Sequence, residues 1–280
     1  MANSTDTKGY APFDLYPYSP AQPPAFAFVA LFALAAAIHF VLMFPYRAAF
    51  PIPIIIGSGM EATAYWFRTR SHDNERQILP FVIQNLLLLS APPFLAATIY
   101  MSLGRIARAL KAEELSLIST RWMTKLFVLV DVICLVTQMA GAIMSGSEDL
   151  NEASQGKTII LAGLALQVGA FSFFIICTLT MQTRMRASPK VSALTGEIPY
   201  RRYLVGLYIT SGLFLVRNVV RIVEYNQGSD GTLLSSEIWL YAFDSCFMLA
   251  IVVILIVLHP GRLVKAARYE KQNEQDILLD

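Results

Sequence analysis

The stretch that decides the fold, residues 217–261, reads RNVVRIVEYNQGSDGTLLSSEIWLYAFDSCFMLAIVVILIVLHPG. It contains two apolar runs, each long enough to cross a bilayer, and both carry charged residues. In the first run Arg217, Arg221 and Glu224 follow the spacing i, i+4 and i+7, which places them on one face of an α-helix. The same spacing recurs in the second run at Glu237, Tyr241 and Asp244. Ionisable groups at membrane depth are costly and normally pair with one another, so we predict that these two faces meet.

Apolar runs of this length recur along the whole 280-residue chain, of which 55% is hydrophobic and 15% charged. A helix of about 20 residues crosses the hydrocarbon core of a bilayer. Seven such runs occupy roughly 25–44, 52–68, 80–104, 122–145, 157–181, 203–225 and 237–259. The second is short and interrupted by polar residues. The sequence predicts an all-α polytopic membrane protein with seven transmembrane helices.

The distribution of Lys and Arg predicts the orientation, because these residues are enriched in cytosolic segments. An extracellular N-terminus and a cytosolic C-terminus put most of them inside the cell. We therefore predict an extracellular Tyr/Pro-rich tail (1–24), a transmembrane domain (25–261) and a short cytosolic tail (262–280). The first tail is interpreted either as a segment packed at the headgroup layer or as a disordered one.

Two short patterns agree with this orientation. Asn3 begins an Asn-Ser-Thr glycosylation sequon, which would lie outside the cell. Glu274, Leu278 and Leu279 have the spacing of an acidic dileucine sorting signal, which would lie in the cytosol. The net charge of +2 gives no reason to expect a nucleic-acid partner.

Polar side chains inside the predicted spans are the candidate substrate-binding residues. Two hypotheses stay open for them: they converge on a polar cavity in the outer half of the bundle, or they are interhelical hydrogen-bonding groups. Arg68 is expected to reach the outer interface, whereas Glu61 needs a partner or a proton. The candidates are Glu61, Tyr65, Gln84, Asp131, Gln138, Gln167, Arg217, Arg221, Glu224, Glu237, Tyr241 and Asp244.

The sequence lacks the residue patterns that several kinds of catalytic and binding site require. Gly156-Lys157-Thr158 resembles the end of a phosphate-binding loop, but Asn151 stands where that loop requires its first glycine. The three histidines fall at different depths, so they predict no metal site. We expect no catalytic residues, no metal and no cofactor, and therefore no enzyme. Pro92-Pro93 predicts a kink or a local opening in the third helix.

The charged motifs resemble the C-terminal signature of the fungal lipid-translocating exporters, the RTA-like aminocholesterol-resistance and sphingoid long-chain-base-resistance proteins. The resemblance covers nearly all of the chain beyond the N-terminal tail. One position differs, because Ala64 stands where the family has glycine between Glu61 and Arg68. The residues that carry the signature are Arg217, Arg221, Glu224, Gly228, Gly231, Glu237, Tyr241, Asp244, Met248, His259, Pro260 and Gly261.

The resemblance implies ATP-independent translocation or export of sphingoid bases and related amphiphiles, with resistance to toxic ones. Its partners would be membrane lipids and amphipathic small molecules. In the leading hypothesis Glu61 or Asp244 receives an amine, while Arg217 and Arg221 hold those carboxylates or a lipid phosphate. The alternative is a seven-helix receptor or regulator of lipid asymmetry, which would need a cytosolic partner. The plasma membrane is the expected location, with vacuolar or endosomal membranes as alternatives.

Overall fold

The computed structural model describes residues 10–11, 14–46, 50–145, 149–188, 200–227, 231–233, 235–259, 261–262 and 265. Within these residues the fold consists of seven long helices and one short 3₁₀ turn at Glu113–Leu115. The helices are α1 (Gln22–Tyr46), α2 (Ile52–Asp73), α3 (Ile78–Ala109), α4 (Thr120–Ser145), α5 (Leu150–Ala187), α6 (Tyr200–Gln227) and α7 (Glu237–Val257).

Six of these helices, all except α2, are long and apolar enough to cross a membrane. This confirms a polytopic helical membrane protein. Helix α2 has 22 residues, which at 1.5 Å per residue gives about 33 Å, enough for a bilayer. It carries four charged residues, of which Glu61 and Arg68 are buried whereas Arg70 and Asp73 are exposed near its end. Helix α2 therefore keeps Glu61 and Arg68 inside the protein.

Most helices extend beyond the apolar runs that predicted them. Helix α5 begins at Leu150 rather than near 157, and α3 continues to Ala109. An apolar run marks the part of a helix in hydrocarbon, whereas capping and turn residues set its ends. The side chain of Asp149 accepts a hydrogen bond from the Asn151 backbone N–H at 2.9 Å, so α5 starts at this N-cap. Helix α1 likewise begins at Gln22, three residues before the apolar run at roughly 25–44.

The helices pack largely with their neighbours in sequence, and α7 closes the bundle by contacting both α6 and α1. Helix α3 is central because it also contacts α6 and α7. It runs through Pro92 and Pro93 as one helix, and both prolines are buried. The kink or local opening expected at these prolines stays a prediction, within a helix that is continuous from Ile78 to Ala109.

Helices α4 and α5 approach closely where two glycines face each other. A Cβ atom on Gly156 would lie 2.6 Å from the Gly141 carbonyl oxygen and 2.5 Å from the Ser145 backbone nitrogen. Real side chains do not tolerate such distances to backbone atoms. Glycine at this crossing allows the backbones themselves to touch, as small residues do in membrane helix pairs.

The described part of the N-terminal tail, residues 10–11 and 14–21, is here named the N-terminal strap. It pairs with the α2–α3 loop through an antiparallel bridge between Tyr10 and Gln77 and a 2.8 Å bond from the Ala11 N–H to the Arg76 carbonyl. Asp14 and Arg76 add a salt bridge at 2.7 Å. The strap thus lies across the end of the bundle where α2 ends and α3 begins.

All three cysteines of the chain lie in the helices and carry free thiols. Cys134 and Cys177 are buried, whereas Cys246 is exposed on the outer surface of α7.

Candidate functional site

Two arginines of α6 and one aspartate of α7 form the centre of the site. The Arg217 Nε donates to Asp244 Oδ1 at 2.6 Å, and the Arg221 Nη2 donates to Asp244 Oδ2 at 2.8 Å. Arg221 also donates to both oxygens of Glu224 at 3.1 Å. The predicted meeting of the two charged faces is confirmed for Arg217, Arg221 and Asp244, whereas Glu224 bonds Arg221 within α6. These four residues are called the central cluster.

The central cluster is buried. The side chains of Arg217 and Asp244 are only 3% and 5% exposed. The remaining donors of Arg217 reach the Leu88 carbonyl of α3 and the Asn218 side chain, both at 3.3 Å. Buried charges are tolerated when they are paired and fully hydrogen-bonded, and this pairing fixes α3, α6 and α7 to one another.

Asp244 lies in an irregular part of α7. Residues Leu240–Ser245 form a π-helical segment between two α-helical segments. A π-turn closes i→i+5 hydrogen bonds and so contains one residue more than an α-turn, which rotates the faces before and after it. As a result Asp244 faces α6, whereas Glu237 and Tyr241, which precede it, face α2.

Glu61 of α2 is the buried acid that has no partner. Its exposure is 0%, and neither carboxyl oxygen has a hydrogen-bond partner among the residues that the structure describes. The charged groups that act on it are Asp244, Arg217 and Arg221. One turn further along α2, the Tyr65 hydroxyl hydrogen-bonds the Ser245 hydroxyl, next to Asp244. This contact holds the Glu61 face of α2 against the central cluster.

A second ion pair joins α2 to the start of α7. Arg68 donates to Glu237 Oε1 from Nη2 at 2.8 Å and from Nε at 3.0 Å, and to the Tyr241 hydroxyl at 3.3 Å. Arg68 is only 1% exposed, because Glu237, Tyr241 and Tyr18 surround its guanidinium group. Glu237 and Tyr241 were expected to face α6; instead they pair with α2. Arg68, Glu237 and Tyr241 are called the outer cluster.

The N-terminal strap covers the outer cluster. The Arg68 Nη2 donates to the Tyr18 hydroxyl at 3.0 Å, and the Ala21 N–H donates to Glu237 Oε2 at 3.0 Å. The Tyr16 hydroxyl donates to Gln84 Oε1 at 2.9 Å and lies 3.0 Å from the Ser71 hydroxyl. Burial raises the pKa of the Tyr16 phenol above its ordinary value, which keeps it a neutral donor.

Replacing Tyr16 with Phe should loosen the strap, because it removes the hydroxyl that joins the strap to α2 and α3. We expect a loss of about 1–2 kcal/mol in strap attachment, the usual value for one or two buried hydrogen bonds. The measurement is limited proteolysis of the strap in detergent, where cleavage should accelerate several-fold. Tyr10→Phe is the matched control, since Tyr10 is 43% exposed. Equal cleavage of both variants and the wild type would contradict this role.

A third polar group lies between α3, α4 and α5. The Gln138 Nε2 donates to Gln167 Oε1 at 3.3 Å, and Asp131 neighbours Gln167 and the Tyr100 phenol. Asp131 Oδ2 and the Tyr100 hydroxyl lack a hydrogen-bond partner of standard geometry within the described residues. We call these four residues the α4 cluster.

The candidate residues are therefore divided among separate groups. Glu61 and Tyr65 adjoin the central cluster, Gln84 lies under the strap, and Asp131, Gln138 and Gln167 belong to the α4 cluster. Asn3, Glu274, Leu278 and Leu279 lie outside the described residues. Sequence reasoning missed Tyr16, Tyr18, Tyr100 and Ser245 as site residues, since one hydroxyl in an apolar run or in a Tyr/Pro-rich tail has no distinguishing pattern.

Residues 54–267 match the family described as RTA1 like protein, and this range contains every cluster above. The chain belongs to that family. It is 33% identical over 274 residues to Protein RTA1 of Saccharomyces cerevisiae, covering 89% of this chain and 85% of that protein. No solved structure is significantly similar to this chain.

Two other relatives have names that state a substrate. Protoporphyrin uptake protein 1 of Saccharomyces cerevisiae is 38% identical, with 72% of this chain and 66% of that protein covered. Sphingoid long-chain base transporter RSB1 of the same species is 23% identical, with 83% and 70% covered. The first name states uptake of protoporphyrin, and the second states transport of sphingoid long-chain bases.

Proposed function

We propose that this RTA1-like protein moves cationic amphiphiles such as sphingoid long-chain bases across a membrane without ATP. The proposal rests on Glu61, a buried carboxyl group that has no hydrogen-bond partner in the described part of the chain, next to a set of charges that are already paired. The orientation that we propose has the N-terminal strap outside the cell and the C-terminus in the cytosol, in the plasma membrane.

Charge balance distinguishes Glu61 from Asp244. In the central cluster the two positive charges of Arg217 and Arg221 are matched by Asp244 and Glu224. Both oxygens of Asp244 are engaged by arginine, so an incoming amine would have to displace one of these bonds. Glu61 has no bond to displace. An ionised Glu61 would add one uncompensated negative charge, which an ammonium group would neutralise.

The arginines are assigned a positioning role. They hold Asp244 and Glu224, and the Tyr65–Ser245 contact keeps Glu61 beside them. A cationic head would thus enter a site of fixed geometry, while its hydrocarbon chain stays in the apolar part of the bilayer. The relative named as a sphingoid long-chain base transporter supports this substrate class, because such bases combine one amine with one long chain.

Glu61→Gln should abolish this activity while leaving the protein folded. Gln has the size of Glu but no charge, so the site loses its attraction for an ammonium group. We expect a fall of at least tenfold in translocation of a labelled long-chain base in liposomes that contain only this protein. Glu61→Asp should retain part of the activity because the charge remains.

The same liposomes test the proposal as a whole. A labelled phospholipid serves as a second substrate, and Glu114→Gln, an exposed acid near the 3₁₀ turn, is the matched control. Wild-type protein that is folded and moves neither lipid would contradict translocation. That result would instead favour the receptor hypothesis, in which a cytosolic partner is required.

A further inference from the structure

The protonation state of Glu61 follows from its surroundings. A carboxylate that is fully buried and accepts no hydrogen bond pays the whole cost of leaving water. Neither Glu61 oxygen has a partner within the described ranges, and its exposure is 0%. The cationic groups nearby are already engaged with Asp244 and Glu224. In this arrangement, with no cation bound, Glu61 is the neutral acid.

The neighbouring helices supply no further cation for Glu61. On α2 itself Arg68 is paired with Glu237, and Tyr65 bonds Ser245. Helix α1 contains no Asp, Glu, Lys or Arg, and its titratable residues are His39 and Tyr46. In α3 the charged residues are Arg105 and Arg108, near the end opposite the strap, and Tyr100 is its one titratable phenol. From α6 and α7 the facing groups are Arg217, Arg221 and Asp244, whereas Tyr241 packs on Tyr65.

We propose that Glu61 exchanges its proton for the cationic head of the amphiphile, so that the protein is a proton–amphiphile antiporter. This inference rests on the proposed function and adds its energy source. It is supported by the Glu61 carboxyl group, which is unpartnered within the described residues and lies beside charges that balance one another. The net charge of this site is zero when Glu61 holds a proton or when one ammonium group is bound. It is negative when neither is present.

The exchange balances at each side of the membrane. On the first side the O–H bond of Glu61 breaks, its proton passes to water, and the carboxylate forms an ion pair with the entering ammonium group. After the site opens to the other side, a proton from water on that side forms the O–H bond again and the ammonium group leaves. One cation crosses in one direction and one proton in the other.

Two properties follow from this stoichiometry. A pH gradient drives the amphiphile, because proton flow is obligatory. A membrane potential does not, because the exchanged charges are equal and the net movement of charge is zero. A simple cation pathway would show the opposite pair of properties.

The experiment uses liposomes that contain the full chain and a trapped pH indicator. The probe is a fluorescent N,N,N-trimethyl derivative of a C18 sphingoid base, whose fixed charge prevents it from carrying protons through lipid by itself. Potassium with valinomycin holds the membrane potential at zero. Adding the probe outside should make the lumen of wild-type liposomes alkaline, with about one proton leaving for each cation that enters.

The variants and the two driving forces distinguish proton antiport from translocation alone. Glu61→Gln should abolish both probe entry and the change in lumen pH, whereas Glu114→Gln should behave as the wild type. Probe entry without a change in lumen pH, or entry driven by an imposed potassium potential, would overturn antiport and leave translocation standing. A folded wild-type protein that admits no probe, and does not move the primary-amine base either, would overturn both.

Discussion

Replacing Asp244 with Ala is expected to destabilise the protein more than any other change of a charged residue in the site. The substitution leaves Arg217 and Arg221 buried without the carboxylate that both of them bind, at 2.6 and 2.8 Å. Removing one partner from a buried ion pair typically costs about 3–5 kcal/mol, because the other charge remains uncompensated. We therefore expect a large fall in the denaturation midpoint in detergent, and little folded protein at higher temperature.

Two comparison variants test whether the lost ion pairs cause this destabilisation. Glu224→Ala should lower the stability much less, because the Glu224 side chain is 18% exposed and Arg221 keeps its ion pair with Asp244. Adding Arg217→Met and Arg221→Met to Asp244→Ala should recover much of the loss, because no buried arginine is then left without its carboxylate, and Glu224, which loses Arg221, has a side chain that is 18% exposed. If the triple variant is as unstable as the sum of its separate changes, the ion pairs are not the source of the effect.

The second large effect is expected at the crossing of α4 and α5. Gly156→Ala introduces a methyl group within 2.6 Å of the Gly141 carbonyl oxygen and 2.8 Å of the Ser145 hydroxyl. The helices must separate, because the nearest obstacles include backbone atoms that cannot rotate away. Overpacking of this kind costs about 1–3 kcal/mol, and a larger residue such as Val should cost more.

Gly169 offers the matched control on the same helix. A Cβ atom there meets nothing within 4 Å, so Gly169→Ala should be neutral or stabilising by up to about 1 kcal/mol through its higher helix propensity. Both variants are compared by their denaturation midpoints in detergent. Similar midpoints for Gly156→Ala and Gly169→Ala would show that α4 and α5 can repack without cost.

The pattern of apolar runs was sufficient to predict the helices, and charge spacing was sufficient to predict two of the ion pairs. Arg217 and Arg221 meet Asp244 because residues at i and i+4 share a helix face and a buried charge needs a partner. This argument is local, so it works where two helices are neighbours in sequence. The family resemblance came from the same residues and is confirmed by the match over 54–267.

The partners of Glu237 and Tyr241 could not be predicted in this way. Their spacing from Asp244 assumes a regular α-helix, but Leu240–Ser245 is π-helical. A π segment arises when tertiary contacts outweigh local hydrogen-bond geometry, so it has no simple signal in sequence. The pairing of Arg68 with Glu237 spans 169 residues, and periodicity within one helix says nothing about contacts at that distance.

The polar residues of the outer half were also expected to share one cavity. Depth along a helix can be estimated from sequence, but the direction of each polar face around the bundle cannot. Gln138 and Gln167 bond each other between α4 and α5, whereas Glu61 faces α7. Residues at similar depth therefore belong to different clusters.

The exposed thiol of Cys246 gives this protein a native attachment point for a spectroscopic label. Cys134 and Cys177 are buried, so a bulky maleimide should react with one position of the folded chain. That position is two residues from Asp244, at the end of the π segment. A nitroxide or fluorophore there would report rotation of α7 during transport in the wild-type sequence, with no cysteine removed or introduced.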